Sequence, residues 1–246
     1  MSLPLVLVGL GYGAYLLYAY AAGTLSFYIN PTYIIPTAVT GGVLVALGAI
    51  CAVAPRDRRG LEGQPPHPGH ASDPTRGGPS WLALAVLAFP LVLGFGLPAR
   101  PLGISTAAQR GVEAVPLGRI DEAFEFRVNS RPEGYSIKDW VTAMQADPDP
   151  GSLVGKPVRV SGFVYRDSRV PDGWFLVARF VVQCCAVDAT PIGLPVRAAD
   201  GSVPKDGAWV AVEGVWEVTE VRGGRKAVIA PASVTPIARP DQPYLY

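Results

Sequence analysis

The first 55 residues of the sequence contain no Asp, Glu, Lys or Arg. A soluble domain needs charge on its surface, so this segment is typical of a membrane protein. Residues 3–22 and 33–53 are apolar runs of about the 20 residues that a bilayer-spanning helix requires. Residues 80–98 form a third uncharged run that is slightly shorter. The pattern predicts a transmembrane region over residues 1–98 with three spans.

The orientation of these spans follows from the arginines. The loop at 54–79 carries four of them, whereas the connection at 23–32 has none. The positive-inside rule therefore predicts a cytoplasmic loop, a cytoplasmic N-terminus and an extracytoplasmic chain after residue 98, in a multi-pass protein of the plasma membrane. A cleaved signal peptide is the alternative for the first run, but residues 1–4 lack the basic segment that such a peptide needs.

The three runs contain no Asp, Glu, Lys, Arg or His, so the usual mark of an ion or proton pathway is missing from them. Gly9 and Gly13 form a G-x-x-x-G pair, which would let another helix approach closely. The alternative is that these glycines reflect only the ordinary composition of membrane helices. The spans predict a packing surface and not a transport pathway of their own.

Both histidines of the protein, His67 and His70, lie in the Pro- and Gly-rich loop at 54–79. Imidazole nitrogens bind zinc or copper, but two of them on a loop make an incomplete site. The alternative is a solvated loop without a ligand. Residues 99–117 are mostly small and predict a linker to the next domain.

The pattern after residue 118 changes to that of short strands. The segment FEFRV at 124–128 alternates, and residues 136–147 predict one helix, with Ser136 as N-cap and Asp139 in a capping box. Five strand-like runs begin at 157, 174, 193, 208 and 226, separated by turn-rich pieces. The fold class is therefore membrane-anchored α+β, with an extracytoplasmic domain at 118–246.

Five short strands with glycines at 162 and 214 predict a small closed β-barrel, because glycine permits the tight bends that closure needs. The pattern resembles the OB-fold, a five-stranded Greek-key barrel. An SH3-like barrel or a small sandwich is the alternative.

Charge and residue types disfavour several functions for this domain. From residue 99 onward there are 17 basic and 17 acidic residues, so the basic face that nucleic acid requires is not expected. The domain has no histidine, which excludes a Ser/His or Cys/His mechanism within it. No Gly-rich phosphate loop or H-E-x-x-H helix occurs. The sequence predicts a non-enzymatic domain that binds a carbohydrate, a peptide or a protein.

Cys184 and Cys185 are adjacent, and the predicted topology separates them from the third cysteine, Cys51. A disulfide between neighbours is strained, because their Cα atoms lie about 3.8 Å apart instead of roughly 4.4 to 6.8 Å. On a strand the two side chains would point to opposite faces, so a metal site requires the strand to end at Cys184. With Asp188 as third ligand, such a site favours zinc or copper(I). Simple packing, a vicinal disulfide and an intermolecular disulfide are the alternatives.

Several segments of the sequence carry a family resemblance. They are LPARPLGIS at 97–105, SGFVYRD at 161–167, ARFVVQCCAVDATPIGLPV at 178–196, WVAVEGVW at 209–216 and PYLY at 243–246. These segments resemble the YcgQ-like family of bacterial membrane proteins, which are described as subunits of a two-component permease. The resemblance implies that Cys184, Cys185 and Asp188 are signature residues of a CC-A-x-D-A motif, without assigning them a role.

The resemblance also implies a partner, a multi-spanning permease subunit of the YcgR kind. We therefore expect a membrane-anchored accessory subunit whose outer domain binds a substrate or gates its access, with a metal ion as one such substrate. The alternative is a self-sufficient thiol- or metal-binding membrane protein that acts through the cysteine pair.

Overall fold

The computed structural model describes residues 3–53, 81–112, 134–198, 201–221 and 223–246. The chain divides into two compact units. The first comprises Met1–Ser26 and Pro31–Arg100, and the second comprises Phe27–Asn30 and Pro101–Tyr246. The four residues at 27–30, which lie between the first two helices in the chain, thus group with the C-terminal unit.

The first unit consists of apolar helices. They are α1 (Leu3–Ala21), α2 (Ile34–Val53) and α3 (Trp81–Gly96), and short 3-10 turns occupy Thr24–Phe27 and Pro31–Tyr33. Two helical stretches, Leu3–Ala21 and Pro31–Val53, are long and apolar enough to cross a membrane. The helix α3 has 16 residues, fewer than the predicted third span, whose first residue lies outside the described part of the chain. The loop at 54–79 also lies outside it.

Close packing of α1 against α2 depends on one of the two predicted glycines. A Cβ atom added to Gly13 would lie 2.8 Å from the carbonyl oxygen of Gly41, too close for any other residue type. A Cβ atom on Gly9 would meet no atom within 4 Å. Gly13 therefore permits the close approach of α2, whereas Gly9 leaves room for a side chain among the described residues.

The second unit combines two short helices with six strands. A 3-10 turn at Pro150–Leu153 connects the second helix to the first strand. The elements are α4 (Ile104–Arg110), α5 (Ile137–Ala146), β1 (Pro157–Tyr165), β2 (Trp174–Val181), β3 (Thr190–Arg197), β4 (Trp209–Val221), β5 (Gly224–Pro236) and β6 (Tyr244–Leu245).

The strands form one mixed six-stranded sheet. β1 pairs antiparallel with both β2 and β4, β2 pairs with β3, and β4 pairs with β5. β3 and β5 meet in parallel at Val196 and Ile229, and β6 runs parallel to β2. The five predicted strands are confirmed. β6 was not predicted, and the predicted segment at 124–128 lies outside the described residues.

The glycines at 162 and 214 lie where neighbouring strands approach closely. A Cβ atom on Gly162 would collide with the carbonyl oxygen of Ala178, and one on Gly214 with that of Ala230. The register between β4 and β5 also shifts at Glu213 and Gly214, as in a β-bulge. Both glycines therefore permit local bending of the sheet.

One hydrophobic core lies between α5 and the sheet. The predicted helix is confirmed with its capping box, in which the Asp139 carboxylate accepts from the Ser136 backbone N–H at 2.8 Å. The cap fixes the start of α5, so its apolar side faces the strands and buries Trp140. The Trp140 ring meets that of Trp216 edge to face, with centroids 5.5 Å apart.

A second cluster of buried residues covers other positions of the same sheet. The α4 segment, which falls in the predicted linker, contributes the fully buried Ala107, and β6 contributes Tyr244. The Phe180 ring of β2 packs against both Phe163 and Tyr244, at centroid distances of 5.7 and 6.3 Å. This cluster fixes the end of β2, from which the cysteine turn departs.

Candidate metal site at the cysteine turn

The two adjacent cysteines lie in the turn between β2 and β3. β2 ends at Val181, three residues before Cys184, although the predicted run extended through this cysteine. The chain therefore leaves the extended conformation before the pair, and the two sulfurs are free to converge. The Sγ atoms of Cys184 and Cys185 and a carboxylate oxygen of Asp188 all lie within 4.8 Å of one another. The structure brings the three predicted ligands together.

The Asp188 carboxylate organises the turn by accepting three backbone N–H groups. Oδ1 accepts from Gln183 at 2.9 Å, and Oδ2 accepts from Cys184 at 2.7 Å and from Cys185 at 3.0 Å. A carboxylate offers about four lone-pair positions, so Oδ1 retains one that can bind a cation. Desolvation alone would raise the pKa of Asp188, but these three N–H groups and the nearby Arg110 lower it. The group is therefore a carboxylate at neutral pH.

Three further hydrogen bonds stabilise the C-terminal side of the turn. The Asp188 backbone N–H donates to the Cys185 carbonyl at 3.0 Å. The Arg110 guanidinium, at the end of α4, donates to the carbonyl oxygens of Ala186 and Ala189. Because α4 is anchored in the second cluster, the guanidinium ties the turn to the folded domain.

The segment Phe27–Asn30 lines the other side of the turn as a short added strand. Ile29 forms an antiparallel bridge with Cys185, and the Ala186 N–H donates to the Tyr28 carbonyl at 2.7 Å. The Asn30 N–H donates to the Cys184 carbonyl at 3.0 Å. A segment about 150 residues away in sequence thus completes the hydrogen bonding of the cysteine turn.

The C-terminal residues brace the beginning of the turn. β6 pairs with β2 at Phe180 and Val181, and the Val182 N–H donates to the Leu245 carbonyl at 2.9 Å. The Tyr244 hydroxyl accepts from the Leu102 N–H at 2.7 Å and donates to the Phe27 carbonyl at 3.3 Å. Three of the motifs behind the family resemblance, at 97–105, 178–196 and 243–246, therefore meet around one structural feature.

The ligand atoms are accessible from solvent. Cys184 and Asp188 are exposed, Cys185 is half-buried, and both cysteines are free thiols. Local desolvation, together with the Cys185 thiol and the Asp188 carboxylate, raises the pKa of Cys184. A bound cation would reverse this balance, because its charge stabilises thiolates. The arrangement can therefore take up a soft metal ion through two sulfurs and one oxygen.

The two other predicted ligands are histidines of the loop at 54–79. His67 and His70 lie outside the described residues. Cys51 lies in α2, in the first unit, and is half-buried. Among the described residues, the cysteine turn is the group of three ligating side chains within coordination reach of one another.

Three residues of the site were missed by sequence reasoning: Asn30, Arg110 and Tyr244. Asn30 did carry a signal, because it is a lone amide followed by proline in an otherwise uncharged segment. Its partner, however, is a backbone carbonyl in a distant turn, and backbone groups leave no trace in a sequence pattern. Arg110 and Tyr244 likewise donate to main-chain atoms.

Two domain families match this arrangement of apolar helices followed by a mixed-sheet domain. The DUF1980 N-terminal domain matches residues 5–113, and the DUF1980 C-terminal domain matches residues 131–246. The two matches follow one another along the chain, the N-terminal domain before the C-terminal domain. Asn30 and Arg110 lie in the first match, whereas the cysteine turn lies in the second.

A curated relative supports the YcgQ-like resemblance. The UPF0703 protein YcgQ of Bacillus subtilis (strain 168) is 27% identical to this chain over 100 residues. The match covers 39% of this chain and 35% of the relative, so it spans about a third of the length of that protein.

Proposed function

We propose that this protein is a membrane-anchored, non-enzymatic accessory subunit of a two-component permease, whose C-terminal domain binds a thiophilic metal ion. Zinc or copper(I) is the proposed ion, and Cys184, Cys185 and Asp188 are the proposed ligands. The observation that carries the proposal is the convergence of their three ligand atoms within 4.8 Å. The family resemblance supplies the permease context.

The spacing of the two sulfur atoms is compatible with a shared metal ion. Two thiolates on one tetrahedral zinc are about 3.8 Å apart, because each Zn–S bond is about 2.3 Å long. Rotation of the exposed Cys184 side chain can bring the two sulfurs to that distance without moving the core. Three protein ligands leave the fourth position open, which suits a site that must accept an ion and release it to a partner.

The membrane anchor belongs to the same proposal. We assign α1, α2 and α3 as three spans, with a cytoplasmic N-terminus and an extracytoplasmic C-terminal domain. The support is the length and composition of α1 and α2 and the apolar sequence of α3. We further interpret the sheet as an OB-like barrel, because its strand pairings run from β1 through β2, β3, β5 and β4 back to β1.

The proposed partner is a multi-spanning permease subunit of the YcgR kind. Outward apolar side chains on all three helices support helix packing against another membrane protein as well as against lipid. Co-purification in mild detergent tests this part. A protein that runs alone, with no multi-spanning partner, contradicts the subunit assignment.

A second candidate is a self-sufficient thiol- or metal-binding protein. The exposure of Cys184 favours it, since a thiol open to solvent can exchange a metal ion with small molecules directly. The two candidates share the site and differ in the partner. Metal exchange by the purified protein at the rate found in native membranes supports the second candidate.

Metal analysis of the full chain in detergent micelles tests the site itself. We expect the wild type to bind one equivalent of zinc or copper(I), and the Cys184→Ser/Cys185→Ser double variant to bind none. Cys51→Ser is the matched control, since it removes a thiol from α2 and should leave binding unchanged. Equal metal content in the double variant and the wild type overturns the proposed site.

A further inference from the structure

The side chain of Asn30 contacts the cysteine turn through backbone carbonyls. Its Nδ2 donates to the Gln183 carbonyl at 3.0 Å and to the Val182 carbonyl at 3.5 Å. Its own N–H donates to the Cys184 carbonyl. Asn30 therefore supplies donors to three consecutive carbonyls of the segment that leads into the cysteine pair.

These donors and the Asp188 carboxylate act on the same peptide groups. In the Gln183–Cys184 peptide, the carbonyl accepts from Asn30 while the N–H donates to Asp188. In the Cys184–Cys185 peptide, the carbonyl again accepts from Asn30 while the N–H donates to Asp188. Both peptide planes that flank the Cys184 Cα are thus fixed at each end. The direction of the Cys184 Cα–Cβ bond follows from those two planes.

These hydrogen bonds matter because polar contacts, and not apolar packing, hold the ligand residues in place. Val187, in the turn, is 84% exposed, and the ligand residues have no apolar core around them. Adjacent side chains on an extended chain point to opposite faces, so any relaxation toward that conformation separates the sulfurs. Hydrogen bonds to the backbone are therefore what keeps the two thiols on one side.

We propose that Asn30 is a positioning residue for the metal site and that metal binding is coupled to docking of the connection between α1 and α2. The proposal rests on the proposed function for its ligand, a soft metal ion. Asn30 binds no metal itself and acts through the orientation of Cys184. Coupling is reciprocal, so an ion bound at the cysteines stabilises the docked segment Phe27–Asn30.

The test compares Asn30→Ala with Thr24→Ala in the full chain. Thr24 lies in the same connection, and its hydroxyl donates to the Ala19 carbonyl of α1 and not to the turn. We expect Asn30→Ala to weaken zinc or copper(I) affinity by about tenfold, measured by competition with a chromophoric chelator. Thr24→Ala should stay within about twofold of the wild type. Equal affinities of the two variants overturn the proposal.

A second readout keeps the positioning role separate from the metal. Phenylarsine oxide reacts with two converging thiols, forming two As–S bonds and releasing its oxygen as water with the two thiol protons. We expect the second As–S bond, which closes a ring through both cysteines, to form more slowly in Asn30→Ala than in Thr24→Ala. If the wild type binds no metal but the arsenical still distinguishes the variants, the proposed function fails and the positioning role stands. Equal rates overturn the positioning role.

The reciprocal effect is measured at the docked segment. The backbone N–H of Asn30 donates to the Cys184 carbonyl, so hydrogen exchange at this N–H reports when the segment Phe27–Asn30 leaves the turn. We expect zinc to slow its exchange in the wild type and to have no effect in the Cys184→Ser/Cys185→Ser variant. Metal binding without any change in exchange at Asn30 contradicts the coupling.

Discussion

The cysteine turn and the tryptophan core belong to the same domain but are held together in opposite ways. Trp140 and Trp216 are almost fully buried and contact each other through their rings. Turn residues 183–188 are half-buried or exposed, and their order comes from polar contacts to the main chain. In the core, burial of apolar area stabilises the fold, whereas in the turn, hydrogen bonds from distant segments define a conformation.

This difference separates stability from ligand geometry. A substitution in the core should lower the free energy of unfolding without changing the site in the folded molecules. A substitution in the turn should change metal affinity with a small effect on unfolding.

Trp216→Ala should destabilise the domain most. Removing a fully buried indole leaves a cavity in the core, so we expect the free energy of unfolding to fall by about 3 to 5 kcal/mol. Chemical unfolding of the full chain in detergent, followed by near-UV circular dichroism, measures it. Trp216→Phe is the control and should cost less, because the indole N–H has no hydrogen-bond partner among the described residues and only part of the buried area is lost.

If Trp216→Ala changes the metal affinity of the folded fraction as strongly as its stability, the separation between core and turn is wrong. The unfolding curve, extrapolated to the conditions of the binding measurement, gives the folded fraction of the variant. The metal affinity is corrected for that fraction and then compared with the affinity of the wild type.

Asp188→Ala should affect the turn most. It removes a ligand and leaves three backbone N–H groups without their acceptor, so we expect about 100-fold weaker metal binding. Because the turn is exposed and water can replace the acceptor, the cost in stability should be only about 1 to 2 kcal/mol. Asp172→Ala, which removes the same charge from another exposed turn, should change neither quantity. Wild-type affinity in Asp188→Ala contradicts the role of the carboxylate.

Asp167→Asn should show a polar contribution that depends on pH. The Arg169 guanidinium donates to the Asp167 carboxylate at 2.5 Å, and this bond lowers the pKa of Asp167 despite its partial burial. A lowered pKa stabilises the fold above the unfolded-state value and loses that effect as pH falls through the folded-state value. We expect Asp167→Asn to lower the free energy of unfolding by about 1 kcal/mol at pH 7, with a smaller effect below about pH 4. A pH-independent loss contradicts the ionic origin.

Val187→Ala should have the smallest effect. This side chain is 84% exposed in the turn, so we expect the free energy of unfolding to change by less than about 0.5 kcal/mol. Val212→Ala is the matched comparison, because Val212 is fully buried in β4 and its truncation should cost about 1 to 3 kcal/mol. Equal effects in the two variants would show that the turn also depends on apolar packing.

The core was largely predictable from the sequence because apolar periodicity records which side chains are buried. The five strands and α5 followed from alternation and from the Ser136–Asp139 capping box. β6 was missed because two residues are too few for a periodic signal. The 3-10 turns and the end of β2 at Val181 were missed because they depend on backbone hydrogen bonds.

The candidate site was predictable in its ligands but not in its support. Two adjacent cysteines and a nearby aspartate indicated a ligand set, since soft metals prefer thiolates. Nothing in the pattern could show that Asn30, from the connection between α1 and α2, would fix Cys184. Its donors reach main-chain carbonyls, which every residue carries.

X-ray absorption at the metal edge of the zinc- or copper(I)-loaded full chain counts the ligand atoms around the ion and therefore tests the proposed metal site. We expect two sulfur neighbours at about 2.3 Å together with oxygen for zinc, and loss of both sulfurs in the Cys184→Ser/Cys185→Ser variant. A first shell of oxygen and nitrogen alone in the wild type would contradict it.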